Sequence, residues 1–183
     1  MNDIMKNLIT RFALLLLIFV GLSCSKQGDA VKNPIIDENN LSACPINGNC
    51  KTSFMDNADV NGTHPFVTPG TYKVFSSIIE TGPVTRYLFV KVPQDKIAFE
   101  YNKKDILVGG AVKFVESCPA CNLVPFEVID AYAKGVKLET ISAALDRVKW
   151  LLEVRLIRQV VGAPTVRDTV NLKQYFQAAE LKY

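Results

Sequence analysis

The chain has little of what most enzyme chemistry requires. Among its 183 residues there is one histidine, His64, and it lies in the turn-like stretch Asn61-Gly-Thr-His-Pro-Phe66. A serine or cysteine triad needs that ring beside a positioned nucleophile and an acid, and no local signature supplies them. His64 is therefore read as a surface-loop residue. Glycine-rich phosphate loops, paired-carboxylate motifs and internal repeats are also missing. The apolar runs all fall short of the ~20 residues that a membrane-crossing helix needs. Charge is not segregated: 21 Lys and Arg face 18 Asp and Glu, and they alternate in places such as Asp146-Arg147, Glu153 to Arg155 and Arg167-Asp168. A nucleic-acid groove needs a basic stripe, and this mixture offers none. Asp56, Asp59 and Asn61 have calcium-like oxygens but lack the spacing and terminal glutamate of a calcium loop. No metal and no cofactor is expected, and no residue is assigned a catalytic role.

What is present begins at the N-terminus. Lys6 and Arg11 precede the apolar run Phe12-Ala-Leu-Leu-Leu-Leu-Ile-Phe-Val20, then Gly21-Leu22-Ser23-Cys24 and a polar stretch. That is the layout of a signal peptide ending in a lipid-accepting cysteine, with the leucine displaced by one place from its usual position. The expectation is a signal over 1–23, acylation of Cys24, and a flexible tether over 24–43 in which Ile35-Ile36 is the one sticky point. Two or more acyl chains, at ~0.8 kcal/mol per buried methylene, hold a protein on a membrane where one chain binds only reversibly. The expected location is the cell envelope, on the inner or outer membrane, with the membrane itself as one partner.

Residues 44–183 are enough for one core. Their periodicity favours strands. In 148–160 the even positions Val148, Trp150, Leu152, Val154, Leu156 and Val160 are apolar, while Lys149, Glu153, Arg155 and Gln159 are polar. A period of two marks a strand with one buried face. Further strands are expected over 71–79 and 84–92 around the turn Thr81-Gly-Pro83, and over 97–101, 106–115, 126–132 and 136–141. Another resumes after Gly162-Ala-Pro-Thr165. The pair Gly109-Gly110 is expected as a bulge, Ala133-Lys134-Gly135 as a connection, and 142–146 as at most a helical turn. The fold class is all-β, an antiparallel sandwich or barrel of about eight strands. Its aromatic residues are assigned to the core, with a small-molecule cavity as the alternative if the sheet curls.

Four cysteines remain, as Cys44-Pro-Ile-Asn-Gly-Asn-Cys50 and Cys118-Pro-Ala-Cys121. An even number in an exported domain reads as two disulfides, and three pairings are open. Local bridges each contribute roughly 2 kcal/mol in the chain-entropy model, and a crossed one about 4.5 kcal/mol. Turn residues inside each set favour the local pairs. Cys118 and Cys121 also have the spacing of a thioredoxin-like redox motif, with 122–133 as the helix that would follow it and Pro164 as the proline beside it. Against that stand Pro125, Gly135 and the strand-like 148–160.

Cys44-Pro45 with Cys50, the strand Arg86-Tyr-Leu-Phe-Val-Lys-Val-Pro93, and a later cysteine pair followed by Phe126-Glu-Val-Ile and Gly135-Val-Lys-Leu-Glu139 together resemble small lipoproteins of Bacteroidetes-type bacteria. The resemblance implies a compartment and a β-rich fold, not an activity. Two classes of function follow: a non-enzymatic envelope lipoprotein binding a small molecule or a protein, and a tethered thiol-disulfide oxidoreductase using Cys118 and Cys121.

Overall fold

A computed structural model describes residues 33–60, 66–138 and 148–179. Among these described residues nine strands run in chain order as β1 (Gly48–Asp59), β2 (Thr68–Pro69), β3 (Tyr72–Thr81), β4 (Val84–Pro93), β5 (Ala98–Tyr101), β6 (Val112–Ser117), β7 (Phe126–Leu138), β8 (Lys149–Val160) and β9 (Ala163–Ala178). A short helix, α1 (Lys103–Leu107), separates β5 from β6. The fold is all-β. The strands form one sheet in the order β5-β7-β8-β9-β1-β3-β4-β6, with β2 added beside β1, and the sheet curls into a half-barrel. Every pairing is antiparallel except that of β1 with β9.

The alternation along β8 sets the inner face. Trp150, Leu152, Val154 and Leu156 are buried against Phe54, Phe75, Val90, Phe99 and Phe176 from other strands. Phe75 is the hub. Its ring lies 5.1 Å from Trp150, 5.6 Å from both Phe54 and Phe176, and 6.0 Å from Phe99, centroid to centroid. Edge-on and tilted pairs of this kind contribute about 0.5–1.5 kcal/mol each beyond the area they bury. The aromatic residues thus pack the middle of the barrel solid.

The edge strands β5 and β6 are at opposite ends of the strand order and do not pair. Helix α1 packs against β5, β6 and β7, and Ile106 enters the core from it. Tyr101 of β5 donates its hydroxyl to the Lys91 carbonyl of β4 at 3.0 Å, and burial pushes this phenol up to about 12. The curl is therefore held at this end by a helix and a side chain rather than by a ladder.

Several expected elements differ from the structure. The strand expected over 106–115 begins only at Val112, because Asn102 starts α1 with a capping box. Its side chain accepts from the N–H groups of Lys104 and Asp105, and Asp105 accepts from the Asn102 N–H in return. Gly109 and Gly110 are not a bulge in a strand but the exit from that helix, with Gly110 at φ +64. The stretch 48–59, over which no strand was expected, is β1, paired with β3 from Gly48↔Thr81 to Met55↔Val74 and bulged before Ala58. Its Phe54 and Ala58 are buried although most of its other residues are polar. The two strands expected around 133–135 are one continuous β7. Turn geometry is realised instead at Gly82 and Gly162, both with positive φ, between β3 and β4 and between β8 and β9. The helical turn expected over 142–146 lies outside the described residues.

Gly135 is not a turn residue because its missing side chain is needed elsewhere. It faces Phe99 across the β5/β7 pair, and a Cβ there would overlap the Phe99 ring and crowd Leu152. Gly135→Ala is expected to destabilise the fold by about 1–3 kcal/mol through this overpacking. Urea unfolding would measure it, and an unchanged midpoint would contradict the packing described.

Candidate functional site

The inward phase of β8 does not end at Leu156. The next inward position is Arg158, 4% exposed. Its guanidinium lies over two aromatic rings, 4.6 Å from that of Phe114 of β6 and 4.7 Å from that of Phe126 of β7. One terminal nitrogen donates to Glu116 at 2.8 Å and the other to the Asp168 carboxylate of β9. The second oxygen of Glu116 accepts from Arg86 Nε at 2.9 Å. Four charges thus alternate along Arg86, Glu116, Arg158 and Asp168 and cancel. Glu116 is on the edge strand β6, so its pair with Arg158 crosses the barrel interior from one side of the curl to the other.

Burial alone would push the Arg158 guanidinium down, but its hydrogen bonds to Glu116 and Asp168 hold it above its ordinary value. The hydrogen bond from Arg158 holds Asp168 below the usual aspartate value, against a smaller opposing effect of burial. Arg158 Nε, by contrast, is buried with no hydrogen-bond partner among the described residues. A fully desolvated donor of this kind costs about 1–3 kcal/mol.

Beside this chain of charges the sheet splits. β1 and β9 pair only at Ser53↔Gln177 and Phe54↔Ala178, although both strands continue well before those residues. The split opens into a cavity of about 380 Å³ lined by Leu88, Phe114 and Leu172 among apolar residues and by Thr52, Ser77 and Gln174 among polar ones. Arg86, Arg158 and Asp168 also line it. This volume lies within the ordinary range for small-molecule sites, about 300–1,000 Å³.

A strap bridges the split. The Ser42 N–H donates to the Lys173 carbonyl at 2.8 Å, and the Lys173 N–H donates to Ser42 Oγ at 2.8 Å. Lys173 Nζ reaches the carbonyls of Asn39 at 2.7 Å and Asp37 at 3.2 Å, Tyr175 donates its hydroxyl to Glu38 at 2.7 Å, and Gln174 binds the Ser42 carbonyl. The bridge Cys44–Cys50 then ties the strap to the start of β1, with Cα atoms 5.9 Å apart. Residues 33–43, expected as part of a loose tether, are instead fastened to β9, and Ile36 is buried. Their polar side chains and carbonyls satisfy the edge that β1 leaves open.

The other residues singled out in the sequence fall elsewhere. Cys118 and Cys121 are bridged to each other just after β6, with Cα atoms 5.3 Å apart. The thioredoxin-like arrangement is corrected. Residues 122–125 are irregular and lead into β7, so no helix follows the pair, and 148–160 forms a strand in the middle of the sheet. Asp56 and Asp59 pair with Lys73 and Lys91, each at 3.3 Å. Cys24, Asn61 and His64 lie outside the described residues. Arg158 itself escapes a reading that scores only apolar positions. The signal was available, since 158 carries a charge on the phase that is otherwise apolar from Val148 to Val160.

Comparison of the chain with protein families, curated proteins and solved structures finds no match in any of the three.

Replacing Arg158 by leucine strands Glu116 and Asp168, and a loss of about 3 kcal/mol is expected in chemical unfolding. Because the Asp168 carboxyl is depressed in the folded state, its contribution is complete above the unfolded aspartate pKa and drains away as pH falls through the folded one. Following Asp168 by carbon NMR through an acid titration should show a midpoint below that of an ordinary aspartate. In Arg158→Leu the midpoint should return to the ordinary value, and an unmoved midpoint would contradict the pairing.

Proposed function

We propose that the chain is a membrane-anchored lipoprotein of the cell envelope. It is cut before Cys24 and acylated there, and its β unit binds a ligand non-enzymatically in the cavity between β1 and β9. The signal-like N-terminus supports the anchoring. The observation that carries the binding is the cavity itself. A strand core normally fills its inner face with apolar side chains, yet here Thr52, Ser77, Arg86, Arg158 and Asp168 all line one open end. Interior polar groups at the mouth of a barrel are worth their desolvation only when they meet something polar. The ion pairs already neutralise the carboxylates and guanidiniums, which suits recognition better than proton transfer. The same feature argues for a ligand with an apolar body and hydrogen-bonding edges.

The anchoring is tested by growing cells with labelled palmitate. The wild-type chain should carry label and sediment with membranes, while Cys24→Ala should lose the label. A labelled Cys24→Ala chain, or an unlabelled wild type, would contradict lipidation. For the cavity, screening amphiphiles and short peptides by backbone-amide NMR should shift Ser77, Leu88 and Val170 before other residues. A screen that moves other surfaces and never these would defeat the binding reading.

A further inference from the structure

We propose that the cavity takes an extended peptide segment of a partner protein, which adds as a strand to the open edge of β9 between Arg167 and Asn171. This rests on the ligand-binding reading above and narrows it to a class of ligand. The first observation is the state of the β9 backbone. Peptide groups point alternately to the two sides of a strand, and Lys173 directs its N–H and C=O toward β1, where Ser42 takes both. Tyr175 sends its carbonyl the same way, to the Thr52 hydroxyl at 2.9 Å. The register of β9 on β8 is regular from Arg167 to Gln177, so the peptide groups of Asn171 and Thr169 face the same split. Among the described residues no ladder partner meets them: the Thr169 N–H is taken by the neighbouring Asp168 carboxylate, which leaves the Thr169 carbonyl and the Asn171 peptide group open.

Second, the facing strand is open ahead of Thr52. Phe54 directs its carbonyl to β9, where it accepts from the Ala179 N–H at 2.8 Å, and the ladder at Ser53↔Gln177 takes up Thr52, so by the same alternation the peptide group of Cys50 faces the split. Two strand edges thus diverge around one cavity, and Asp168 to Leu172 line it as five consecutive residues. Small molecules need a few well-placed polar groups, whereas a row of unpaired backbone donors and acceptors matches another backbone. The strap already pairs in this manner through Ser42, and then leaves the edge at Ala43 to reach the Cys44–Cys50 bridge. An incoming strand continues where the strap stops.

Third, the side chains around the split state what the peptide carries. Every second residue of an added strand points inward, where Ile79, Leu88 and Phe114 wait. The intervening residues point outward among Lys51, Arg155 and Arg167, which are exposed and have no carboxylate partner among the described residues. The complement is a segment alternating apolar and acidic residues.

The probe is a capped peptide of about nine residues alternating valine and glutamate, added to the full-length chain labelled with nitrogen-15 in mild detergent. Binding should slow hydrogen exchange at the Thr169 and Asn171 amides. N-methylating alternate probe residues should weaken binding about tenfold in the phase that faces β9 and have little effect in the other phase. Arg167→Glu, an exposed change that leaves the fold intact, should also weaken it. Strand addition is overturned if both methylation phases bind like the parent peptide, or if the two amides exchange as before with probe bound. It is likewise overturned if a neutral amphiphile shifts Ser77 and Leu88 while Thr169 and Asn171 stay unprotected, an outcome that leaves the ligand-binding reading standing. Failure of every probe to shift the cavity residues overturns both.

Discussion

A guanidinium buried inside a sheet determines the shape of this protein. Arg158 enters the barrel at the position where the next apolar residue is due, and it can stay charged there only if carboxylates come to it. Glu116 arrives from the far edge strand and Asp168 from the neighbouring one. The rings of Phe114 and Phe126 both lie close against the cation. Because Arg158 and Glu116 belong to strands at different places along the sheet, their bond pulls the sheet into a curl. At the other edge α1 and Tyr101 act similarly. Closure of this half-barrel is a matter of side chains, and the backbone ladders are free to leave a gap between β1 and β9.

That gap links fold to function. A sheet with a complete ladder between β1 and β9 would have no interior opening at this end, and the polar inward residues would be buried without purpose. The short pairing at Ser53 and Phe54 keeps the two strands together at one end only. The strap then covers part of the exposed edge, and the Cys44–Cys50 bridge fixes how far it extends. What remains uncovered is a stretch of β9 with its backbone facing an amphipathic cavity. The region is thus polar inside for the same reason that it is open.

Much of this architecture was legible in the sequence and some was not. The alternation from Val148 to Val160, the turn at Thr81-Gly-Pro83 and the two cysteine sets each state their structure locally, because period, turn chemistry and spacing act over a few residues. β1 was hidden because it is a polar strand, inward only at a few residues such as Phe54 and Ala58, and its place between β3 and β9 depends on partners far along the chain. Helix α1 is five residues long, too short for any period, and only the pair Asn102 and Asp105 announces it. Gly135 resembles a turn glycine until Phe99 is brought opposite it by pairing. The site itself was visible only as a fault in a pattern: a charge on the apolar phase of β8, whose meaning required Glu116 and Asp168 to be placed beside it.

The account stands most directly on the bond between Arg158 and Glu116. A double-mutant cycle in which each is replaced by leucine, singly and together, isolates their coupling from the other contacts each one makes. Unfolding measurements on the four proteins should give a favourable coupling of about 2 kcal/mol or more, with the double variant less damaged than the two single losses predict. A coupling below about 0.5 kcal/mol, the additive behaviour of independent sites, would mean that the curl is held by something other than this ion pair.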